Sequence, residues 1–274
     1  MPREPRQSLS GVSETLLVTL YLRAMESARP DALIKDKKAV ELVTRMSYDF
    51  ARVRQIPLSE ANKLVIILRN REFDRYARDF LARNPEAVVV HIGCGLDSRF
   101  ERVAERNTQA EWYDLDFPDV IALRRKFVAD EGERYHLLAC SVLEDAWLEA
   151  VSTRRRRPFL FLAEGVFMYF EEAQVKSLVR RLRDHFPGAE LVFDAYSPLH
   201  VWRHNIQTSA SKINLRVRWG IWRGQEIERW GGGIRLLNEW GFLDEPEPRL
   251  ARVRWLRPIE GAARTMRIYH FRLG

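Results

Sequence analysis

Residues 87–98 read Ala-Val-Val-Val-His-Ile-Gly-Cys-Gly-Leu-Asp-Ser, and this stretch decides the fold. Ala87 to Ile92 is a short, valine-rich apolar run, the pattern of a strand buried on both faces. Gly93 and Gly95 follow at once. Glycine lets a ligand approach the backbone closely. The segment Ser98 to Arg106 then reads as a helix, whose first turn presents free N–H groups. Strand, glycine turn and helix in this order predict the opening of a βαβ unit. Ser98 stands where a dinucleotide fingerprint would carry its third glycine, so a plain nicotinamide site is not indicated.

Downstream the alternation continues. Glu111 to Asp116 (EWYDLD) is a second strand, and Pro118 sits where the first turn of a helix tolerates proline. Asp116 ends that strand about twenty residues after the glycines, where a carboxylate can accept hydrogen bonds from both hydroxyls of a ribose. The competing role for Asp116 is a helix N-cap. Tyr135 to Val142 is a third strand. Phe159 to Ala163 (FLFLA) is a fourth, and it runs into Glu164 and Gly165. A carboxylate at the end of so apolar a strand requires a partner, either a substrate group or a structural arginine. Glu171 to Phe186 is an amphipathic helix with Val175, Leu178, Val179 and Leu182 on one face. Glu190 to Tyr196 is a fifth strand. Strands alternating with helices predict a mainly parallel sheet with right-handed crossovers.

The two ends of the chain differ from this middle. The first eighty residues read as helical, with Pro57 and Ser59 opening a long helix that Asn84-Pro85 ends. In the tail, a helix-like stretch before Gly241, then Val253 to Arg257 and Arg267 to Leu273 as strands, predict an antiparallel pair at the sheet edge. Ser197 to Trp240 is too long for a simple connection. The expected organisation is a helical lobe over 1–84 and a core over 85–274, with an insertion at about 197–240 that caps the substrate.

The 274 residues, 46% of them apolar, suffice for one α/β domain with an added lobe. No apolar run reaches the length of a membrane span. The polar, arginine-bearing first ten residues lack the apolar middle of a secretory signal, which points to a cytoplasmic protein. Cys94 and Cys140 form no CxxC pair, so neither metal nor redox chemistry is indicated. The net charge of +7 permits acidic partners. The densest basic run, Arg154 to Arg157, reads as a solvated loop rather than a nucleic-acid contact.

Several segments together resemble the leucine carboxyl methyltransferase family, including its bacterial polyketide O-methyltransferases. They are 14–17 (ETLL), 24–27 (AMES), 68–74 (LRNREFD), 91–99 (HIGCGLDSR), 113–120 (YDLDFPDV) and 163–169 (AEGVFMY), spread over nearly the whole chain. The resemblance implies a Rossmann-like class I methyltransferase. Its sheet has seven mainly parallel strands with an antiparallel C-terminal edge strand, under an N-terminal helical lobe. It implies S-adenosylmethionine as methyl donor and S-adenosylhomocysteine as product. It assigns Arg69, helped by Arg71, to the methionine carboxylate, a planar anion that suits guanidinium. It places Gly93 against the methionine part and Asp116 on the ribose, with Gly95 and Asp97 also among the cofactor-binding residues. Glu164 falls at the methionine amine or the transfer site, and Ser141 and Val142 near the adenine.

A carboxylate acceptor needs no base, whereas a hydroxyl benefits from one. Asp194, Tyr196, His200 and His204 stand at or after the fifth strand end, and Glu164, Tyr196 and His200 are the expected catalytic residues. Trp202, Trp219, Trp222, Arg223 and Trp230 are expected to cap the acceptor pocket, or else to pack the lobe. The arginines there favour an acidic or aromatic small-molecule acceptor. Within the family, a protein C-terminal carboxylate and a modified tRNA base are the other acceptor classes. Two readings from other classes, a nicotinamide-dependent oxidoreductase and a non-catalytic nucleic-acid-binding protein, lack a catalytic Tyr/Lys pair and clustered basic-aromatic residues respectively.

Overall fold

A computed structural model describes residues 14–56, 58–104, 109–128, 132–208 and 216–274. The lobe comprises α1 (Glu14–Ser27), α2 (Lys37–Arg45), α3 (Ala51–Arg54) and α4 (Glu60–Arg83). Then follow β1 (Val88–Ile92), α5 (Arg99–Ala104), β2 (Glu111–Asp116), α6 (Pro118–Phe127), β3 (Tyr135–Ala139), α7 (Ala146–Ser152) and β4 (Phe159–Ala163). The remainder is α8 (Glu172–His185), β5 (Ala189–Tyr196), α9 (Pro198–Thr208), α10 (Gln225–Glu228), β6 (Arg235–Gly241), α11 (Glu260–Ala263) and β7 (Met266–Leu273).

Local chemistry sets the helix ends. Ser59 Oγ accepts the Asn62 N–H at 3.1 Å and caps α4; Pro57, expected to share that role, lies outside the described residues. Glu171 and Gln174 close a capping box at the start of α8. The apolar face expected of α8 is buried through Val175, Leu178, Val179 and Leu182.

The seven strands lie in the order β3-β2-β1-β4-β5-β7-β6. β1 to β5 are parallel, and β7 is antiparallel to both neighbours. Alternate residues of β1 enter opposite cores: Val88, Val90 and Ile92 join α7 and α8, while Val89 joins α4. Every residue of β1 and β4 is buried, which accounts for the unbroken apolar run of β4 and for a β1 that is apolar except at His91. A third cluster fills the lobe and takes in Leu96 of the glycine turn.

Two expectations need correction. Val253 to Arg257 is not a strand: it holds a short 3-10 turn at Arg254–Leu256. Pro246, Pro248 and Pro258 bracket the segment, and their fixed φ and missing N–H suit turns. The outer partner of β7 is β6, which lies where a helix-like stretch was expected and occupies the end of the supposed insertion. As an edge strand with a register shift between Leu236 and Asn238, β6 exposes most of its first residues and shows no clean alternation.

Glu111, at the start of β2, accepts from Arg154 at 2.8 Å and Arg157 at 2.6 Å. Half of the basic run therefore clasps a strand end. Among the described residues no helix is long and apolar enough to cross a membrane.

Candidate active site

Strand register lines up the site. Leu115, Ile92, Ala163 and Phe193 form one row across four adjacent strands. The next residues, Asp116, Gly93, Glu164 and Asp194, therefore form the row at the carboxyl edge, where open α/β sheets bind ligands.

α4 lays Arg69 over this row. Its Nε donates to Glu164 Oε1 and its Nη1 to Asp194 Oδ2, both at 3.0 Å. Nη2 has no hydrogen-bond partner among the described residues. Asp194 also accepts the Gly165 N–H at 2.6 Å. Burial raises the Asp194 pKa even though Arg69 opposes it. With both oxygens engaged, Asp194 is a clamp rather than the free base considered above.

Behind Arg69 lies a buried ion network that links four elements. Asn70 donates to Asp97 at 3.2 Å and to Glu164 at 3.3 Å. Arg99 pairs with Asp74 at 2.8 Å, Asp97 at 3.0 Å and Glu164. Arg102 pairs with Asp36, Asp74 and Asp97 at 2.7–2.9 Å. Arg23 joins through Asp36 at 2.9 Å. Burial pushes the Asp97 pKa up, but Arg102, Arg99 and Arg23 more than offset this and hold it well below the usual carboxylate range. Five carboxylates (Asp36, Asp74, Asp97, Glu164, Asp194) thus meet four buried guanidiniums, and Arg78 reaches Asp74 at 3.7 Å from the surface. Because surface charge is screened, the site interior favours a cation.

The glycine turn is held from both sides. Arg124 of α6, itself paired with Asp114, donates to the carbonyls of Gly95 at 2.7 Å and Asp97 at 2.8 Å. Arg23 donates to the Leu96 carbonyl at 2.7 Å. Gly93 has φ +64°, and a Cβ there would come 2.4 Å from Val166. Gly165 has φ +67°, and a Cβ would sit 3.4 Å from the Arg69 guanidinium. Asp116 Oδ2 accepts the Gly95 N–H and Oδ1 the Phe117 N–H, both at 2.8 Å. Asp116 is not the cap of α6: that position is Phe117, which is 54% exposed. Burial raises the Asp116 pKa.

The other expected residues divide. Tyr196 ends β5 beside Arg69, and the His200 ring packs on it at 4.5 Å. Burial lowers His200 to about 4, with His204 and Arg203 adding to the shift. Ser141 and Val142 follow β3; Ser141 Oγ accepts the Leu143 N–H at 3.2 Å, and Val142 is buried. Arg71 is not brought to the cluster: its guanidinium pairs with Glu245. Among the described residues no His, Cys, Asp and Glu group could hold a metal. Trp219 and Trp230 are buried in the core, 5.9 Å apart, as packing residues, whereas Trp202 is 62% exposed. The segment before α10 does cross the strand ends, with Ile221 N–H bonded to the Tyr196 carbonyl and Arg218 N–H to that of Met168.

Asn70, Asp74, Arg99, Arg102, Arg23 and Arg124 were not identified as site residues from the sequence. Three of them, Asn70, Asp74 and Arg99, stand in the 68–74 and 91–99 segments, but a buried charge on a helix has the same sequence appearance as an exposed one.

Sheet order, glycine turn and the carboxylate at the end of β2 define a Rossmann-like, S-adenosylmethionine-dependent methyltransferase. The chain belongs to the leucine carboxyl methyltransferase family, which it matches over residues 16–183. It is 37% identical over 238 residues to the tetracenomycin polyketide synthesis O-methyltransferase TcmP of Streptomyces glaucescens, covering 87% of this chain and 86% of that one. It is 30% identical over 264 residues to the S-adenosyl-L-methionine-dependent methyltransferase dpfgK of Gibberella zeae, covering 91% and 88%. Among solved structures, a DUF574 family protein of Streptomyces avermitilis superposes with TM-score 0.62 at 16% identity, covering 96% of this chain and 98% of that one. A Thermobifida fusca protein described as a methyltransferase candidate gives 0.61 at 18%, covering 97% and 96%. These two establish the fold. The oxidoreductase and nucleic-acid readings fall away with the family match.

Proposed function

We propose that this enzyme methylates an oxygen, hydroxyl or carboxylate, of a small polyketide-like molecule. The observation that carries this reading is the Arg69 bridge over Glu164 and Asp194, with Tyr196 and the His200 ring packed on it close by. The likeness to a polyketide O-methyltransferase over most of both chains supports the acceptor class.

S-adenosylmethionine, when bound, supplies an activated methyl on a sulfonium. The residues present fit it. Side-chain-free positions at Gly93, Gly95 and Gly165 leave room for close backbone approach. Arg69 Nη2 offers two donors to the methionine carboxylate. Glu164 and Asp97 face the amine and the sulfonium with negative charge. Asp116 takes the ribose hydroxyls while keeping its bonds to the turn. Ser141 and Val142, with the exposed Phe117, would border the adenine. Arg71, tied to Glu245, serves the helical lobe instead.

On the acceptor side, the protein orients an oxygen in line with the methyl and excludes water. His200, neutral because buried, accepts the proton of a hydroxyl acceptor. Tyr196, whose pKa burial raises, stays protonated and donates a positioning hydrogen bond. The test is calorimetric titration of wild type and Asp116→Ala with S-adenosylmethionine, followed by radiolabelled methyl transfer to hydroxylated and carboxylated anthraquinones. Saturable donor binding and transfer to an oxygen support the reading. Donor binding with transfer only to nitrogen or carbon acceptors overturns the O-methyl assignment.

A further inference from the structure

His91 is the one polar residue of β1, and it takes no part in the chemistry proposed above. Its side chain is buried at the centre of the sheet. The parallel register sets it directly beside Asp114 of β2. Both side chains therefore point to the face that α4, α5 and α6 cover, together with Val89 and Trp112.

A buried polar side chain is costly unless its polar atoms are engaged. His91 Nε2 lies 2.9 Å from Arg99 Nη1, and Nδ1 faces Asp114 Oδ1 at 3.4 Å. A guanidinium has only donors and a carboxylate only acceptors. Nε2 therefore accepts, and the ring hydrogen sits on Nδ1. The opposite tautomer would turn an N–H on the guanidinium and a lone pair on the carboxylate. Asp114 does stay a carboxylate: burial alone would raise its pKa, but Arg124, helped by His91 and Tyr135, more than offsets this and lowers it.

The ring thereby joins two buried ion networks. On one side Asp114 accepts from Trp112 Nε1 at 2.8 Å, from Tyr135 Oη at 2.6 Å and from Arg124, the residue that holds the Gly95 and Asp97 carbonyls. On the other side Arg99 turns its remaining edges to Asp74, Asp97 and Glu164. Removing the acceptor at His91 leaves Arg99 Nη1 without that partner in a site that excludes water. The guanidinium is then no longer fixed from behind as it reaches for Glu164.

We infer that His91 is a positioning residue for the methyl donor: through Arg99 it sets the Glu164 carboxylate at the strand ends, and through Asp114 and Arg124 it ties that carboxylate to the glycine turn. The inference rests on the role given to Glu164 above.

The experiment uses the full chain and two amides that each replace one ring nitrogen. Glutamine at position 91 reaches the place of Nε2 with its amide oxygen; asparagine reaches only the place of Nδ1. His91→Gln should keep S-adenosylmethionine affinity within about threefold of wild type. His91→Asn should lose about tenfold, the worth of one hydrogen bond to a charged group. Affinities are measured well below both melting temperatures, where a purely structural loss lowers Tm but leaves the affinity of the folded protein alone. Equal donor affinity in the two variants overturns the inference. If neither variant folds, wild type decides through long-range proton–nitrogen NMR of its imidazoles. The chain has six histidines, and substituting the others one at a time assigns the His91 signals. Hydrogen on Nδ1 alone supports the inference, and hydrogen on Nε2 overturns it. Failure of wild type to bind S-adenosylmethionine instead sinks the donor-site reading on which the inference rests.

Discussion

Asp116 Oδ2 accepts the Gly95 N–H at 2.8 Å, so the carboxylate that ends β2 also fixes the glycine turn after β1. One side chain thereby couples turn geometry to the proposed ribose contact. Asp116→Ala should weaken S-adenosylmethionine binding by about 10- to 100-fold, since hydrogen bonds to charged groups contribute about 1.5–3 kcal/mol each. Asp116→Asn keeps one acceptor for the turn and should fall between the two. Titration calorimetry reads the affinities, and equal affinity of Asp116→Ala and wild type would remove Asp116 from the site.

The glycines offer a matched comparison. Gly93 and Gly188 both have positive φ, at +64° and +85°, but a Cβ at Gly188 meets nothing within 4 Å while one at Gly93 strikes Val166. Alanine at either position should cost about 1–2 kcal/mol through the left-handed backbone alone. Only Gly93→Ala should also impair donor binding. Thermal melts with and without S-adenosylmethionine separate the effects: the ligand-induced rise in Tm should persist in Gly188→Ala and shrink in Gly93→Ala.

Arg99 is fully buried and joins Asp74, Asp97 and Glu164. Arg99→Met leaves three buried carboxylates short of a partner, and breaking a buried pair costs about 3–5 kcal/mol. A chemical denaturation curve should show that loss. Arg71→Met, which removes only the contact to Glu245, should cost about 1 kcal/mol or less and leave donor affinity unchanged. A large drop in donor affinity for Arg71→Met would restore it to the cofactor site.

Much of this site was legible because the residues proposed to touch ligands stand at strand ends, where apolar runs break into glycine or acid. Gly93, Gly95, Asp116 and Glu164 all carry that mark. Arg69 was identified only through the family resemblance, because a charge on an amphipathic helix looks solvent-facing until something charged is known to face it. Asn70, Asp74 and Arg102 were missed for the same reason. β6 was missed because edge strands lack the alternation that burial on one face imposes, and Trp240, its buried anchor, reads equally well in a helix.

At the opposite edge of the sheet, Glu190 bonds Arg83 and His270 at 2.8–3.0 Å. Burial alone would raise its pKa. Those two partners more than offset this and lower it from 4.5 to about 2. The folded value lies below the unfolded one, so the stabilisation is complete above about pH 5 and is lost as pH falls toward 2. It amounts to about 3 kcal/mol at most. Denaturation curves at about pH 6 and pH 2.5 should converge for wild type and Glu190→Gln at the acid end. A stability gap independent of pH would show that the pair acts through packing alone.

His200 carries the distinction between acceptor types. Its ring is lowered to about 4, so it is neutral from about pH 5 upward and can take a proton across the working range. For a hydroxyl acceptor, kcat should fall at the acid end through a pKa near 4, and His200→Ala should cost about 10²-fold, the lower end of general-base catalysis. For a carboxylate acceptor, already ionised at neutral pH, the same variant should change kcat by about twofold or less. The pH–rate profiles of wild type and His200→Ala on paired hydroxyl and carboxyl anthraquinones therefore test the residue and the substrate class together. Loss of rate with both acceptors, at every pH, would mark His200 as a packing partner of Tyr196 rather than a base.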